Sequence, residues 1–252
     1  EPAWSTADLG VEMECGYSSS GRKYKEINDL WENLEQGEDN ADWYRKSQDY
    51  WETTELSNNG VLGGFEHISD LDLQSSRELI GSLPVIELGN AIDCGAGIGR
   101  ILEGLLLPIF NEADMVEQSA SHVESARSRL ASHPRMGTFY TEGLQTFTPR
   151  PGHYDLVWIQ WVIGYLTDSH FEAFLNRCAN SLRGPNSFVI IKENVARKDF
   201  FFDSEDNNVT RTLSQFQSLF RRTRLILVKT KIQHKFPEEL HPVYMFVLKR
   251  RR

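Results

Sequence analysis

The run Ala91-Ile92-Asp93-Cys94-Gly95-Ala96-Gly97-Ile98-Gly99-Arg100 decides the fold. A short apolar stretch of strand character ends in three alternating glycines, and a helical pattern from Gly99 to Leu107 opens behind them. Beyond it the chain alternates. Strands are expected at Ala91–Cys94, Ala113–Glu117, Thr138–Thr141, Tyr154–Trp161, Ser187–Lys192, Leu225–Lys231 and Val243–Lys249, with helices at Ala120–Ala131, Asp168–Leu182 and Thr212–Arg222. Such alternation predicts an α/β fold, a mostly parallel sheet with helices on both faces. Too few residues join the last two strands for a crossover helix, so the final strand is expected to run antiparallel.

Ahead of this unit, residues 41–83 carry two helical patterns, one around Trp43, Tyr44, Tyr50 and Trp51, the other from Asp70 to Ile80. They read as an N-terminal helical cap on a main domain spanning 84–252. Residues 1–40 are a polar extension, poorly packed unless Trp4 and Trp31 dock.

Glycines in a strand-to-helix turn let the backbone approach a ligand and leave its amides facing that ligand. The spacing Gly95-x-Gly97-x-Gly99 is one residue shorter than the G-x-G-x-x-G of dinucleotide sites, and no G-K-[ST] follows, which disfavours nicotinamide and P-loop chemistry. Glu117 closes the second strand, where an acid can accept hydrogen bonds from two ribose hydroxyls.

The 252 residues carry 27 Lys+Arg against 36 Asp+Glu, a formal charge of -9, which argues against a protein that lives by gripping phosphates. No apolar run approaches the roughly 20 residues of a membrane span. Three scattered cysteines suggest neither disulfides nor a cysteine zinc site and point to a reducing compartment, and the seven histidines show no metal-ligand spacing such as H-E-x-x-H, so no metal is expected.

Four segments together, Asp93-Cys94-Gly95-Ala96-Gly97-Ile98-Gly99-Arg100, Asp114-Met115-Val116-Glu117, Gly143 to Pro149 and Ile159-Gln160-Trp161-Val162-Ile163-Gly164, with the Leu62-Gly63-Gly64 turn, resemble the protein N-terminal methyltransferase family from Trp43 to Leu248. The resemblance implies a Rossmann-like seven-stranded methyltransferase fold. It also implies transfer of methyl groups from S-adenosyl-L-methionine to the α-amino group of proteins beginning X-Pro-Lys or X-Pro-Arg.

Residue by residue, the resemblance implies that Gly95 and Arg100 meet the methionine end of the cofactor, the guanidinium pairing its carboxylate, with Gln160 close by. Glu117 would hold the ribose, where the family more often has Asp, and Leu144 and Gln145 would border the adenine. Trp51 and Trp161 match walls of the acceptor channel; Leu62, Ile68 and Leu240 match a pocket for the second-position proline. Taken singly, each of these reads as ordinary core, and Gln145 as an ordinary loop residue. Asn194 matches a residue that holds the peptide backbone, and Asp203 and Asp206 match the acidic pair that receives the third residue.

The chain departs from the family at two places. Tyr165 stands where the family has a histidine that assists deprotonation, and His241 where it has a tyrosine. An unperturbed phenol is a poor base at neutral pH, so Asp206 becomes the expected proton acceptor, with Tyr165 positioning the amine. His241 is either structural or a partial replacement for the lost imidazole.

Three alternatives stay open on the residues: a methyltransferase for a small amine, a cofactor-binding module without turnover, and, less well supported, a nucleic-acid methyltransferase, which lacks its [DN]-P-P-[FYW] run here. The expected partners are proteins with free X-Pro-Lys/Arg N-termini, acted on by a monomer, with no nucleic acid or membrane involved. The expected location is cytoplasm, and nucleus if Lys249-Arg250-Arg251-Arg252 is an address rather than a solvated end.

Overall fold

The computed structural model describes residues 15–35, 41–84 and 86–251; Trp4, most of the acidic stretch before residue 40, and Arg252 lie outside them. The described chain opens with β1 (Gly16–Ser18), β2 (Lys23–Tyr24) and α1 (Ile27–Glu35), followed by α2 (Ala41–Glu52), α3 (Asn58–Val61) and α4 (Ser69–Gly81). Then come β3 (Asn90–Cys94), a π-helical turn (Leu102–Leu106) running into α5 (Leu107–Ile109), β4 (Glu112–Glu117), α6 (Ala120–Leu130), β5 (Met136–Thr141) and β6 (Leu156–Gln160). The chain finishes through α7 (Asp168–Ser181), β7 (Phe188–Asn194), β8 (Phe200–Asp203), β9 (Asn208–Thr210), α8 (Leu213–Arg222), β10 (Leu225–Ile232) and β11 (Val243–Arg250).

Seven strands form the main sheet in the order β10-β11-β7-β6-β3-β4-β5. The five from β3 to β7 are parallel, and β11 runs antiparallel to both β7 and β10. All seven expected strands are present, and the antiparallel last strand is as the short connection required. Their apolar runs are continuous because both faces are covered: Leu156 to Gln160 of β6 are buried throughout. One face packs α7, α8 and aromatic side chains of α1 and α2, including Phe171, Phe216, Trp31 and Trp43. The opposite face packs α4, the π turn and α6 through Leu73, Leu79, Leu105, Ala126 and Leu130.

Two expectations need correction. The helix expected from Gly99 to Leu107 contains the π turn and continues through Pro108. Proline has no N–H to give the carbonyl four residues back, and the Gly104 carbonyl instead accepts from the Arg77 guanidinium of α4 at 2.8 Å.

The extension is also more than a polar tail. Trp31 does dock, edge-on to Trp43 at 5.5 Å, with Tyr24 and Leu30 buried beside it. In addition, β1 pairs parallel with β8, making a second sheet of order β2-β1-β8-β9 that the sequence did not reveal. Within it, Ser19 meets Ser204 in the acidic turn, hydroxyl to hydroxyl at 2.9 Å.

Candidate active site

At the carboxyl ends of β3, β4 and β6 lies an open cleft. This is where ligands enter open α/β sheets. Its floor is the glycine turn. Gly95 has φ +75° and a Cβ there would stand 2.5 Å from the Val162 side chain; Gly99 has φ +86° and would press on Leu130 at 2.9 Å. Only glycine satisfies both the left-handed backbone and that packing.

Between them, the Gly97 N–H donates to Glu117 Oε2 at 3.0 Å, and the Ser119 N–H donates to Oε1, also at 3.0 Å. A carboxylate has about four lone-pair sites. Glu117, buried at the end of β4, therefore braces the turn and keeps acceptor capacity for a diol.

Asp93 is buried at the end of β3, with no partner for its Oδ2, and burial pushes its carboxyl up to about 7. Arg100 lines the cleft, donating from Nη2 to Asp72 at 2.9 Å and from Nη1 to Ser69 Oγ at 3.3 Å. Gln160 lines it too, but its amide is committed: Oε1 accepts from Trp158 Nε1 at 3.0 Å, and Nε2 donates to both Asp72 oxygens at 2.9 and 3.0 Å. Trp161, next in the chain, takes φ +52°, uncommon for a bulky residue and a mark of a position held by its surroundings. Its ring lies 5.6 Å from the Arg100 guanidinium, and its buried Nε1 has no partner.

Toward the mouth, Trp51 stands edge-on to Tyr165 at 6.1 Å. The Tyr165 hydroxyl donates to Asp206 Oδ2 at 2.8 Å, while Oδ1 accepts the Asn208 N–H at 3.1 Å. Burial, reinforced by the Asp206 charge, raises the Tyr165 phenol well above its ordinary value. Burial also raises Asp206, aided by Asp203 and opposed by the Tyr165 hydrogen bond. Asp206, Glu205 and Asp203 all act on Tyr50, so their charges converge beside the mouth. Glu205 itself is solvent-exposed.

Of the residues singled out in the sequence, Gly95, Arg100, Glu117, Leu144, Gln145, Gln160, Trp51, Leu62, Trp161 and Tyr165 share the wall of the cleft. Asp206 reaches it through Tyr165. Asn194, Asp203, Ile68, Leu240 and His241 are not among the lining residues; His241 is exposed.

The imidazole in the wall is instead His122, buried on α6, edge-on to Trp51 at 6.2 Å, with Nε2 unpartnered. Burial lowers its pKa against the pull of Glu117 and Glu52. Asp72 was missed as well. The clue lay in its place on the α4 stripe of Asp72, Leu73, Ser76, Leu79 and Ile80, all buried.

These groups suit a ligand carrying cationic sulfur and nitrogen, a carboxylate and a ribose. Asp93 offers an unsatisfied acceptor, Arg100 a cation, and Glu117 spare acceptor sites. Among the described residues no cluster of His, Cys, Asp or Glu is arranged to hold a metal ion.

Comparison with known proteins agrees with this geometry. The family model described as AdoMet dependent proline di-methyltransferase matches residues 39–249. The chain is 39% identical over 250 residues to alpha N-terminal protein methyltransferase 1 of Arabidopsis thaliana, covering 93% of this chain and 90% of that protein. It is 40% identical over 219 residues to N-terminal Xaa-Pro-Lys N-methyltransferase 1 of Homo sapiens, covering 84% and 97%. A solved SAM-dependent methyltransferase of Leishmania major superposes with a TM-score of 0.90 at 35% identity, covering 99% of this chain and 100% of that one.

Proposed function

Since the chain belongs to the AdoMet-dependent proline di-methyltransferase family, we propose that it methylates the N-terminal α-amine of proteins beginning X-Pro-Lys or X-Pro-Arg. The observation that carries this reading is the Tyr165–Asp206 hydrogen bond beside Trp51, at the mouth of a cleft floored by the glycine turn.

When bound, S-adenosylmethionine supplies a methyl group on cationic sulfur, whose C–S bond breaks as the amine nitrogen forms its N–C bond in line. The chain's residues hold and orient. Arg100 and Asp93 are suited to the charged amino-acid end, Glu117 to the ribose hydroxyls, and Leu144 and Gln145 to the adenine.

An α-amine of pKa near 8 is about one-tenth neutral at pH 7, so orientation and an acceptor for one proton suffice. Asp206 is that acceptor. Tyr165 donates its proton to Asp206 and receives the side-chain donors of Asn208 and Trp51, so it holds the carboxylate in place. Trp51 and Trp161 wall the path, and Asp203 with Asp206 supplies negative charge for a Lys or Arg at position three.

Incubation with labelled cofactor and two hexapeptides, beginning Ser-Pro-Lys and Ser-Ala-Lys, tests the reading. Label is expected in the first alone. No label in the first overturns the assignment, and equal label in both removes the selectivity for proline.

A further inference from the structure

Behind the cleft, α4 and β7 enclose a group of charges that do not cancel. Asp72 is fully buried, and its carboxylate takes Arg100 Nη2 at 2.9 Å, Lys192 Nζ at 2.5 Å and Gln160 Nε2. Lys192, equally buried, also donates to the Asp72 carbonyl and to Ser76 Oγ, each at 3.1 Å, so its three donors have acceptors on α4 alone. Lys192 does not line the cleft, whereas Arg100 does.

Two cations share one carboxylate, leaving an excess of one positive charge that faces the cleft through Arg100. Such an excess is costly unless an anion completes it. The neighbouring charges do not remove it. Asp93 acts on Arg100 but is pushed up to about 7, and so carries only part of a charge at neutral pH. Lys231 adds to the positive side at Lys192 and is itself paired with Glu78 at 3.4 Å. Burial foremost, with Arg100 and Lys231, lowers the Lys192 pKa, and Asp72 opposes them.

We propose that Lys192 is a positioning residue for the cofactor: by engaging the Asp72 carboxylate it leaves the Arg100 charge uncompensated, and so available to the cofactor's terminal carboxylate. The proposal rests on the reading that Arg100 meets that carboxylate. Without the Lys192 charge, Asp72 and Arg100 would neutralise each other, and a carboxylate entering the cleft would meet no net attraction. With it, the carboxylate completes a set of two cations and two anions.

The test compares two ligands by calorimetry at pH 7.5. S-adenosylhomocysteine carries the amino-acid end, and 5′-methylthioadenosine shares its nucleoside thioether without that end. With the Lys192 charge removed, Asp72 is left to neutralise Arg100, which should weaken the first by about tenfold or more. Lys192→Met is therefore expected to weaken S-adenosylhomocysteine by that factor and to leave 5′-methylthioadenosine within about twofold. Lys192→Gln keeps a donor for Asp72 and should show the same split, so a misfolded Met variant does not remove the test.

Equal losses for both ligands, or no loss for either, overturn the proposal, because a merely structural lysine would not separate them. Arg100→Met is the control on the underlying reading. If it too fails to separate the ligands, the carboxylate lies elsewhere; if it separates them and Lys192→Gln does not, Lys192 alone has been misassigned.

Discussion

Tyr165 and Asp206 are 41 positions apart, and under the proposed function the 2.8 Å bond between them would take over the work expected of a histidine. A phenol raised by burial and by a facing carboxylate cannot serve as a base near neutrality, and a carboxylate that accepts its proton can. Asp206→Asn should therefore lower kcat for a Ser-Pro-Lys peptide by about a hundredfold or more, within the usual range for a general base. Tyr165→Phe should cost less than about tenfold; equal effects in steady-state assays would reverse the roles. The glycine turn and Glu117 were legible because their motif is local, whereas Asp203 and Asp206 stood out only through the family resemblance, and neither is among the residues lining the cleft. Asp72 was not legible, since a buried aspartate in a helix differs from its exposed neighbour Asp70 only through what packs on it, and Arg100 and Lys192 lie 28 and 120 positions away.

At the scale of elements, legibility followed length and apolar continuity. The strands of the main sheet are runs of five to eight residues bounded by turns, and each was visible. β1, β2, β8 and β9 are only two to four residues long, so the pairing of β1 with β8, nearly two hundred residues apart, left no local signal. The same holds for α1, whose buried face is complete only against Trp43 and the sheet. Trp31→Ala should consequently cost ~3–5 kcal/mol of stability, the usual penalty for truncating a buried aromatic. Denaturant unfolding would read this directly, and a loss below about 1 kcal/mol would return the segment to the passive tail that its polarity suggested.

For the molecule as a whole, the interior holds carboxyl groups that prefer to be neutral. Burial pushes Glu193 up to about 7, and its Oε2 has no partner, although Oε1 accepts the Asn194 N–H at 2.8 Å. An unfolded glutamate titrates near 4.3, so between roughly pH 4 and 7 the folded chain binds more protons at this site and the group's contribution to stability falls as pH rises. Relative to the native protein, Glu193→Gln should be increasingly stabilising across that window, by at most about 1.4 kcal/mol per pH unit, and level off above pH 7. Denaturation midpoints from pH 4.5 to 8 would show this; a difference independent of pH would contradict it. The Arg77 guanidinium on the Gly104 carbonyl has a different reach. A local defect, the N–H that Pro108 lacks, has become a fastening between two parts of the chain that otherwise read as interchangeable modules. A chimaera that borrows another enzyme's cap in front of this sheet would lose this fastening at residue 104 along with the charge cluster at Asp72. The cap and the helix behind the glycine turn are therefore one unit of inheritance, to be swapped together or left in place.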